Sequence, residues 1–202
     1  QAIVGEDGQG NGAVPKPHEP VLRTDRSWMR RLERFLIGRA LEALNFAWFE
    51  EMMNEQSMSS YAWLADQLDI PVLGPESLSG KHYSRGDWVK AGASDILRAG
   101  VPGVGGITPT MKVAHLAESF GMNCEVHGNG AAALTVCAAI KNTRWYERGL
   151  LHPFLEYDDV PAYLNRLADP MDHEGYVHLS QEPGLGEDIN FDYIAAHTVQ
   201  TY

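Results

Sequence analysis

Glu50 and Glu76 are placed alike in this chain, and the placement has chemical consequences. Glu50 closes the apolar run Phe46-Ala47-Trp48-Phe49, and 26 residues later Glu76 follows Ile70-Pro71-Val72-Leu73-Gly74-Pro75. A parallel strand is covered on both faces, so it reads as continuous apolar sequence, and an acid at its C-terminal end falls where an α/β barrel builds its active site. Two acids delivered this way can share a divalent cation. Mg²⁺ suits such a pair, because it takes hard oxygen ligands, often only a few carboxylates plus waters and substrate oxygens. The alternative for either acid is a solvated carboxylate at a strand end.

His127 lies in Cys124-Glu125-Val126-His127-Gly128-Asn129-Gly130, where a strand breaks into a glycine-rich turn before a helix. A neutral imidazole there, with an intrinsic pKa near ~6.5, can remove or return a proton close to neutral pH. Asn129 could position that ring or a substrate hydroxyl. The competing reading is a histidine satisfied by backbone groups.

Positioning these residues requires a repeating strand and helix series, and the pattern supplies one. Trp28, Leu32, Phe35, Leu36, Ala40 and Leu44 recur at helical spacing after Asp25, a suitable N-cap. Strands are then expected at 46–50, 70–75, 94–98, 122–126 and 144–147, alternating with helices near 58–69, 85–93, 108–120 and 130–141. Gly92, Gly121 and Asn142 supply helix stops. Five strands are three fewer than the eight of a closed barrel, so the chain reads as the later part of one. Residues 1–25, rich in Gly and Pro, form an irregular arm with at most a short strand at Ala2-Ile3-Val4. Residues 26–150 form the βα units. Residues 151–202 form a C-terminal segment expected to pack back on the barrel, with a strand at Gly175–Leu179 and a short helix at Phe191–His197.

The bulk numbers agree with one domain: 202 residues, 44% hydrophobic and 21% charged. A net charge of −11 with scattered Lys and Arg argues against nucleic-acid or anionic membrane partners. Cys124 and Cys137 sit in separate apolar segments and read as two buried free thiols, which fits a cytoplasmic location. The apolar run Ala131–Ile140 is about half the ~20 residues of a membrane helix. The chain starts at Gln1 without an initiator Met or a targeting leader, which suggests a segment of something longer. Gly103, Gly105 and Gly106 lack dinucleotide-cradle spacing and read as tight-turn residues.

Taken in order, Trp48-Phe49-Glu50-Glu51, Gly74-Pro75-Glu76, Asp95-Ile96-Leu97, Val104-Gly105-Gly106-Ile107, Val126-His127-Gly128, Trp145-Tyr146-Glu147 and Pro183-Gly184-Leu185-Gly186 resemble the C-terminal barrel of the enolase superfamily. The resemblance is greatest to the mandelate racemase and muconate lactonising enzyme group, especially its sugar-acid dehydratases, and runs from about Asp25 to the C-terminus. It implies a TIM-like (β/α) barrel, Mg²⁺ as cofactor, a small carboxylate such as a sugar acid as substrate, and a homo-oligomer. It also implies that Glu50 and Glu76 match the second and third metal ligands, and that His127 matches the general base. Glu147 matches the acid that hydrogen-bonds the substrate carboxylate, although a structural salt bridge is an equal alternative. Arg98 at the end of the sixth strand, and Lys81 and His82 in the loop after Gly80, could meet the anionic substrate or be solvated loop charges.

The sequence departs from the family pattern in three places. The first metal ligand, an Asp ending the third strand, should fall near Thr24 and Asp25, where no apolar strand precedes; Asp7 is a weak substitute. The lysine base of the second strand and the capping domain have no counterpart. The Asp that partners the histidine is here Gly100. The expected activity is Mg²⁺-dependent proton abstraction next to a carboxylate, leading to dehydration, racemisation or epimerisation. The competing expectation is a non-catalytic or partial barrel acting as a binding or oligomerisation module.

Overall fold

The computed structural model describes residues 26–149, 154 and 157–200. Ala2–Val4, Asp7, Thr24 and Asp25 lie outside the described residues.

Helix α1 (Arg26–Ala43) leads into a series of short strands and helices: β1 (Phe49–Glu50), α2 (Met58–Gln67), β2 (Val72–Leu73), α3 (Tyr83–Ala91) and β3 (Ile96–Gly100). The series continues with α4 (Val101–Val104), α5 (Ile107–Ser119), β4 (Asn123–His127) and α6 (Ala131–Ala139), and α7 (Phe191–His197) lies in the C-terminal segment. The strands form one parallel sheet in the order β1-β2-β3-β4. Helices return the chain between them, as parallel pairing demands. Local chemistry explains the joints. Gly92 caps α3 in a left-handed conformation, its N–H donating to the Trp88 and Val89 carbonyls. Pro102 and Pro109 sit in the first turns of α4 and α5, where an N–H has no helical acceptor.

Side chains alternate across the strands, and the alternation separates core from site. Phe49 and Val72 pack with Tyr61, Leu64, Leu68 and Trp88 from the covering helices. Leu97, Ala99 and Cys124 pack against Val113, Ala114 and Ala117 of α5, and Val126 packs against Ala133 and Val136 of α6. Burying a side chain such as Leu64 contributes roughly 1.5–3 kcal/mol. The alternate residues Glu50, Arg98, Glu125 and His127 occupy the opposite face, with Arg98 opposite Glu125 and Gly100 opposite His127 in the β3–β4 register.

Several expectations are corrected. Among the described residues the sheet has four strands; residues 144–147 carry no ladder, and the Arg144 and Trp145 N–H groups bond to a side chain instead. The Glu125 carboxylate, 2% exposed, accepts from Arg144 N at 3.2 Å, Trp145 N at 3.3 Å and Thr143 Oγ1 at 3.0 Å. The third strand runs 96–100 rather than 94–98, so Arg98 is central in it and not at its end. Of the glycines read as tight-turn residues, Gly103 falls within α4, while Gly105 and Gly106 do form a turn, between α4 and α5, both at positive φ. Gly175–Leu179 contributes a single antiparallel bridge, Met171 with Val177. In α1 the period is helical as expected, but Leu36 (59%) and Leu44 (70%) are exposed. Only the side bearing Phe35 and Leu41 meets a neighbour. Gly38 marks the closest approach: a Cβ there would stand 2.4 Å from Leu68 Cδ1.

Candidate active site

Arg98 organises the inner face of the sheet. It is 5% exposed, and its Nε donates to Glu76 Oε2 at 3.0 Å while Nη2 donates to Glu147 Oε2 at 2.9 Å. Burial works against the guanidinium, but Glu50, Glu147 and Glu76 together raise its pKa and hold it charged. His127 Nδ1 lies 3.1 Å from each of the same two carboxylate oxygens. Hydrogen bonds to Glu147 and then Glu76 outweigh burial and push the imidazole up to about 10, a charge state in which it donates a proton.

The two carboxylates respond in the opposite sense. Burial alone would raise Glu147, but the hydrogen bond from His127, the Arg98 charge and the Gly128 N–H at 2.7 Å hold it at about 2. Glu76 is likewise lowered despite burial, by His127 and Arg98. Glu50 shifts the other way: burial raises it, opposed by Arg98 and by the Trp48 indole N–H, which donates at 2.9 Å. Three carboxylates facing one guanidinium and one imidazolium leave a negative charge uncompensated. That balance, together with the hard oxygens of Glu50 and Glu76 at the ends of adjacent strands, fits a small divalent cation that keeps part of its water shell. Among the described residues no group of three or more His, Cys, Asp or Glu side chains is arranged to hold a metal ion.

A cavity of about 350 Å³ adjoins the cluster, walled by Phe46, Trp48, Glu50, Arg98, Trp145 and Glu147, among others. Glu76 and His127 are not part of the wall, but Glu76 is bonded to Arg98 and His127 to Glu147, both of which are.

The structure thus brings Glu76, Arg98, His127 and Glu147 into direct contact, with Glu50 electrostatically coupled to three of them. Among the described residues Lys81, His82 and Asn129 form no hydrogen bond or ion pair with this group. Lys81 lies along Gly105, and the His82 ring rests 4.1 Å from that of Tyr83. His127 does not lack carboxylate partners: Glu76 and Glu147 take the place left by Gly100. Sequence reasoning missed four buried charges, Glu55, Arg85, Glu125 and Asp169. Glu125 was detectable, because it lies two residues before His127 and therefore on the same strand face.

A parallel βα series with acids, a histidine and a buried arginine on its inner face defines a portion of an α/β barrel. The chain belongs to the enolase C-terminal domain-like family, whose model matches residues 21–193. It is similar to D-glucarate dehydratase from Agrobacterium tumefaciens, a structure complexed with magnesium: 64% identity and a TM-score of 0.79, covering 82% of this chain and 43% of that one. It is also similar to L-talarate dehydratase from a Polaromonas species, complexed with Mg and L-glucarate, at 26% identity and a TM-score of 0.63 over 82% of this chain and 43% of that one. It is 32% identical over 168 residues to D-galactarolactone cycloisomerase of Agrobacterium fabrum, which is 79% of this chain and 44% of that protein. The chain therefore spans less than half the length of the relatives it matches. Its relatives are sugar-acid dehydratases, cycloisomerases and racemases of the mandelate racemase and enolase superfamily. Among the described residues no helix is long and apolar enough to cross a membrane.

Proposed function

We propose that this chain carries the acid–base and cation-holding part of a Mg²⁺-assisted proton abstraction next to a carboxylate, with a sugar acid as substrate and dehydration as the outcome. The observation that carries the reading is the position of His127 Nδ1 3.1 Å from both Glu76 and Glu147, with Arg98 bonded to the same two oxygens. A buried constellation that shifts titrations in opposite directions is what acid–base chemistry near neutral pH requires.

Glu50 and Glu76 would hold the cation, which supplies neutralisation of the charge that develops on the substrate's carboxylate oxygens. Arg98 keeps Glu76 and Glu147 ionised and apart. His127, with Nδ1 fixed by two carboxylates, exchanges protons with the substrate through its other ring nitrogen, as acid for a leaving β-hydroxyl or as base once its proton is gone. Glu147 orients that ring and faces the substrate carboxylate. Racemisation or epimerisation would use the same first step without loss of the hydroxyl.

The test is deuterium uptake at the carbon next to the carboxylate across a panel of aldonic and aldaric acids, in excess Mg²⁺. Uptake and loss of water from one member support the reading, and no uptake across the panel overturns it. A second reading is a non-catalytic barrel portion that binds a ligand or a homologous subunit. It is favoured by the ion pairs that Glu76 and Glu147 already make with Arg98 and His127, which occupy the oxygens a cation or substrate would meet. Ligand binding or self-association without exchange would select it.

A further inference from the structure

Two buried charges outside the cavity grip the main chain of Glu76 from both sides. Glu55, 9% exposed in the loop that follows β1, accepts the Glu76 N–H through Oε1. Arg85, 1% exposed on α3, donates from Nη2 to the Glu76 carbonyl at 3.0 Å. The same guanidinium donates from Nη1 to the Leu78 carbonyl at 3.3 Å, the Lys81 carbonyl at 3.1 Å and Ser84 Oγ at 3.0 Å, and from Nε to the Arg98 carbonyl at 3.5 Å.

Each charge belongs to a different element from the carboxylate it supports. Glu55 ties the loop beginning at Glu50 to the loop beginning at Glu76, so the two proposed cation-holding residues are joined through one side chain. Arg85 ties the backbone of Glu76 to that of Arg98, which holds the Glu76 side chain. A planar guanidinium can satisfy several carbonyls at fixed angles, which an ammonium cannot. Neither Glu55 nor Arg85 lines the cavity. Burying two charges there is costly unless their hydrogen bonds are made; Glu55 Oε1 and Arg85 place four of theirs on residues 76–81, while Glu55 Oε2 is buried without a hydrogen-bond partner among the described residues.

We propose that Glu55 and Arg85 are positioning residues that fix where the Glu76 carboxylate stands, a role that rests on the assignment of Glu76 to the cation site. The experiment uses the 202-residue chain with Glu55→Gln and Arg85→Lys, and Tyr61→Phe as a control. The control removes the neighbouring Tyr61 hydroxyl bond to the Met53 carbonyl without touching the 76–81 loop. Amide hydrogen exchange is measured without metal, and affinity is then measured by titration with Mn²⁺. The expected result is exchange at least tenfold faster over residues 76–81, unchanged exchange over α5, and Mn²⁺ binding weakened at least tenfold. Tyr61→Phe changes neither readout.

Unchanged exchange at 76–81 in both variants overturns the proposal, as does an equal effect from Tyr61→Phe; either variant alone suffices if the other does not fold. Glu76→Gln separates this from the parent reading. If it leaves Mn²⁺ affinity intact while the loop still loosens in the two variants, the cation assignment falls and the positioning of the loop stands.

Discussion

A Cβ added to Gly100 would stand 3.1 Å from Cδ2 of His127, so the imidazole lies in the space that a side chain from β3 would otherwise fill. The ring is oriented by contacts from the far side, where Glu76 and Glu147 meet Nδ1. Gly100→Ala is therefore expected to push the ring by a few tenths of an ångström and cost about 1–2 kcal/mol as overpacking. Imidazole nitrogen chemical shifts of His127 check the displacement, and thermal unfolding checks the cost. Unmoved shifts would show that the ring is not confined there.

Removing the buried guanidinium leaves two carboxylates facing each other. Arg98→Met is expected to destabilise the fold by about 3–5 kcal/mol, the usual consequence of breaking a buried charge network. Added Mg²⁺ should recover part of the lost melting temperature in the variant and give a smaller rise in the parent protein. Differential scanning calorimetry with and without the ion reads both, and an equal rise in the two proteins would contradict the shared electrostatic role.

Glu147 contributes to the acid limb of stability, together with Glu76, whose pKa is also lowered. The Glu147 pKa is held at about 2 in the folded chain against a higher value when unfolded, so its contribution is complete above the unfolded value and fades as pH falls toward about 2. Midpoints of urea unfolding should drop between pH ~4.5 and the acid limit, and Glu147→Gln should flatten that slope.

Alkaline behaviour should follow the thiols. Burial pushes both Cys124 and Cys137 up to about 12. An unfolded thiol ionises near pH ~8.5, so the thiol contribution is intact below that value and is lost as pH rises toward the folded value. Cys137 is only half-buried, which corrects the expectation of two buried thiols, so Ellman's reagent at pH 8 should leave Cys124 unmodified in the folded chain and modify both thiols in denaturant; rapid reaction of Cys124 in the folded chain would contradict its burial.

Asp169 joins the C-terminal segment to the site's support. Its Oδ2 accepts from the Tyr146 hydroxyl and, at 3.1 Å, from Gly130 N at the start of α6. Asp169→Asn and Tyr146→Phe should each cost about 1–3 kcal/mol and hasten proteolysis within 157–190. Because they break one shared bond, the double variant should cost less than the sum of the two.

The residues most legible in the sequence are those at strand ends. Glu50, Glu76 and His127 each interrupt an apolar run, so their types alone announced the inner rim, and the helix and strand alternation announced the barrel class. Less legible was anything decided by long-range partners. Residues 144–147 have strand-like composition, yet the N–H groups of Arg144 and Trp145 bond to Glu125 rather than to a neighbouring strand. Arg98 was placed at an end because a shift of two residues in a short strand leaves the pattern unchanged. Arg85 sits at i and i+3 from Trp88 on a buried helix face, but a helical arginine reads as solvent-facing until its carbonyl partners are known. The stripe on α1 gave the helix and not its exposure, because exposure depends on what packs opposite.

Arg98 finds its carboxylates 22 residues earlier and 49 residues later along the chain. A guanidinium in the middle of β3 cannot be neutralised on both sides by local folding, so it must stay hydrated until the segment bearing Glu147 docks. The centre of this sheet is consequently among the last places to dry, and the step that completes the charge cluster is also the step that closes the inner face against water.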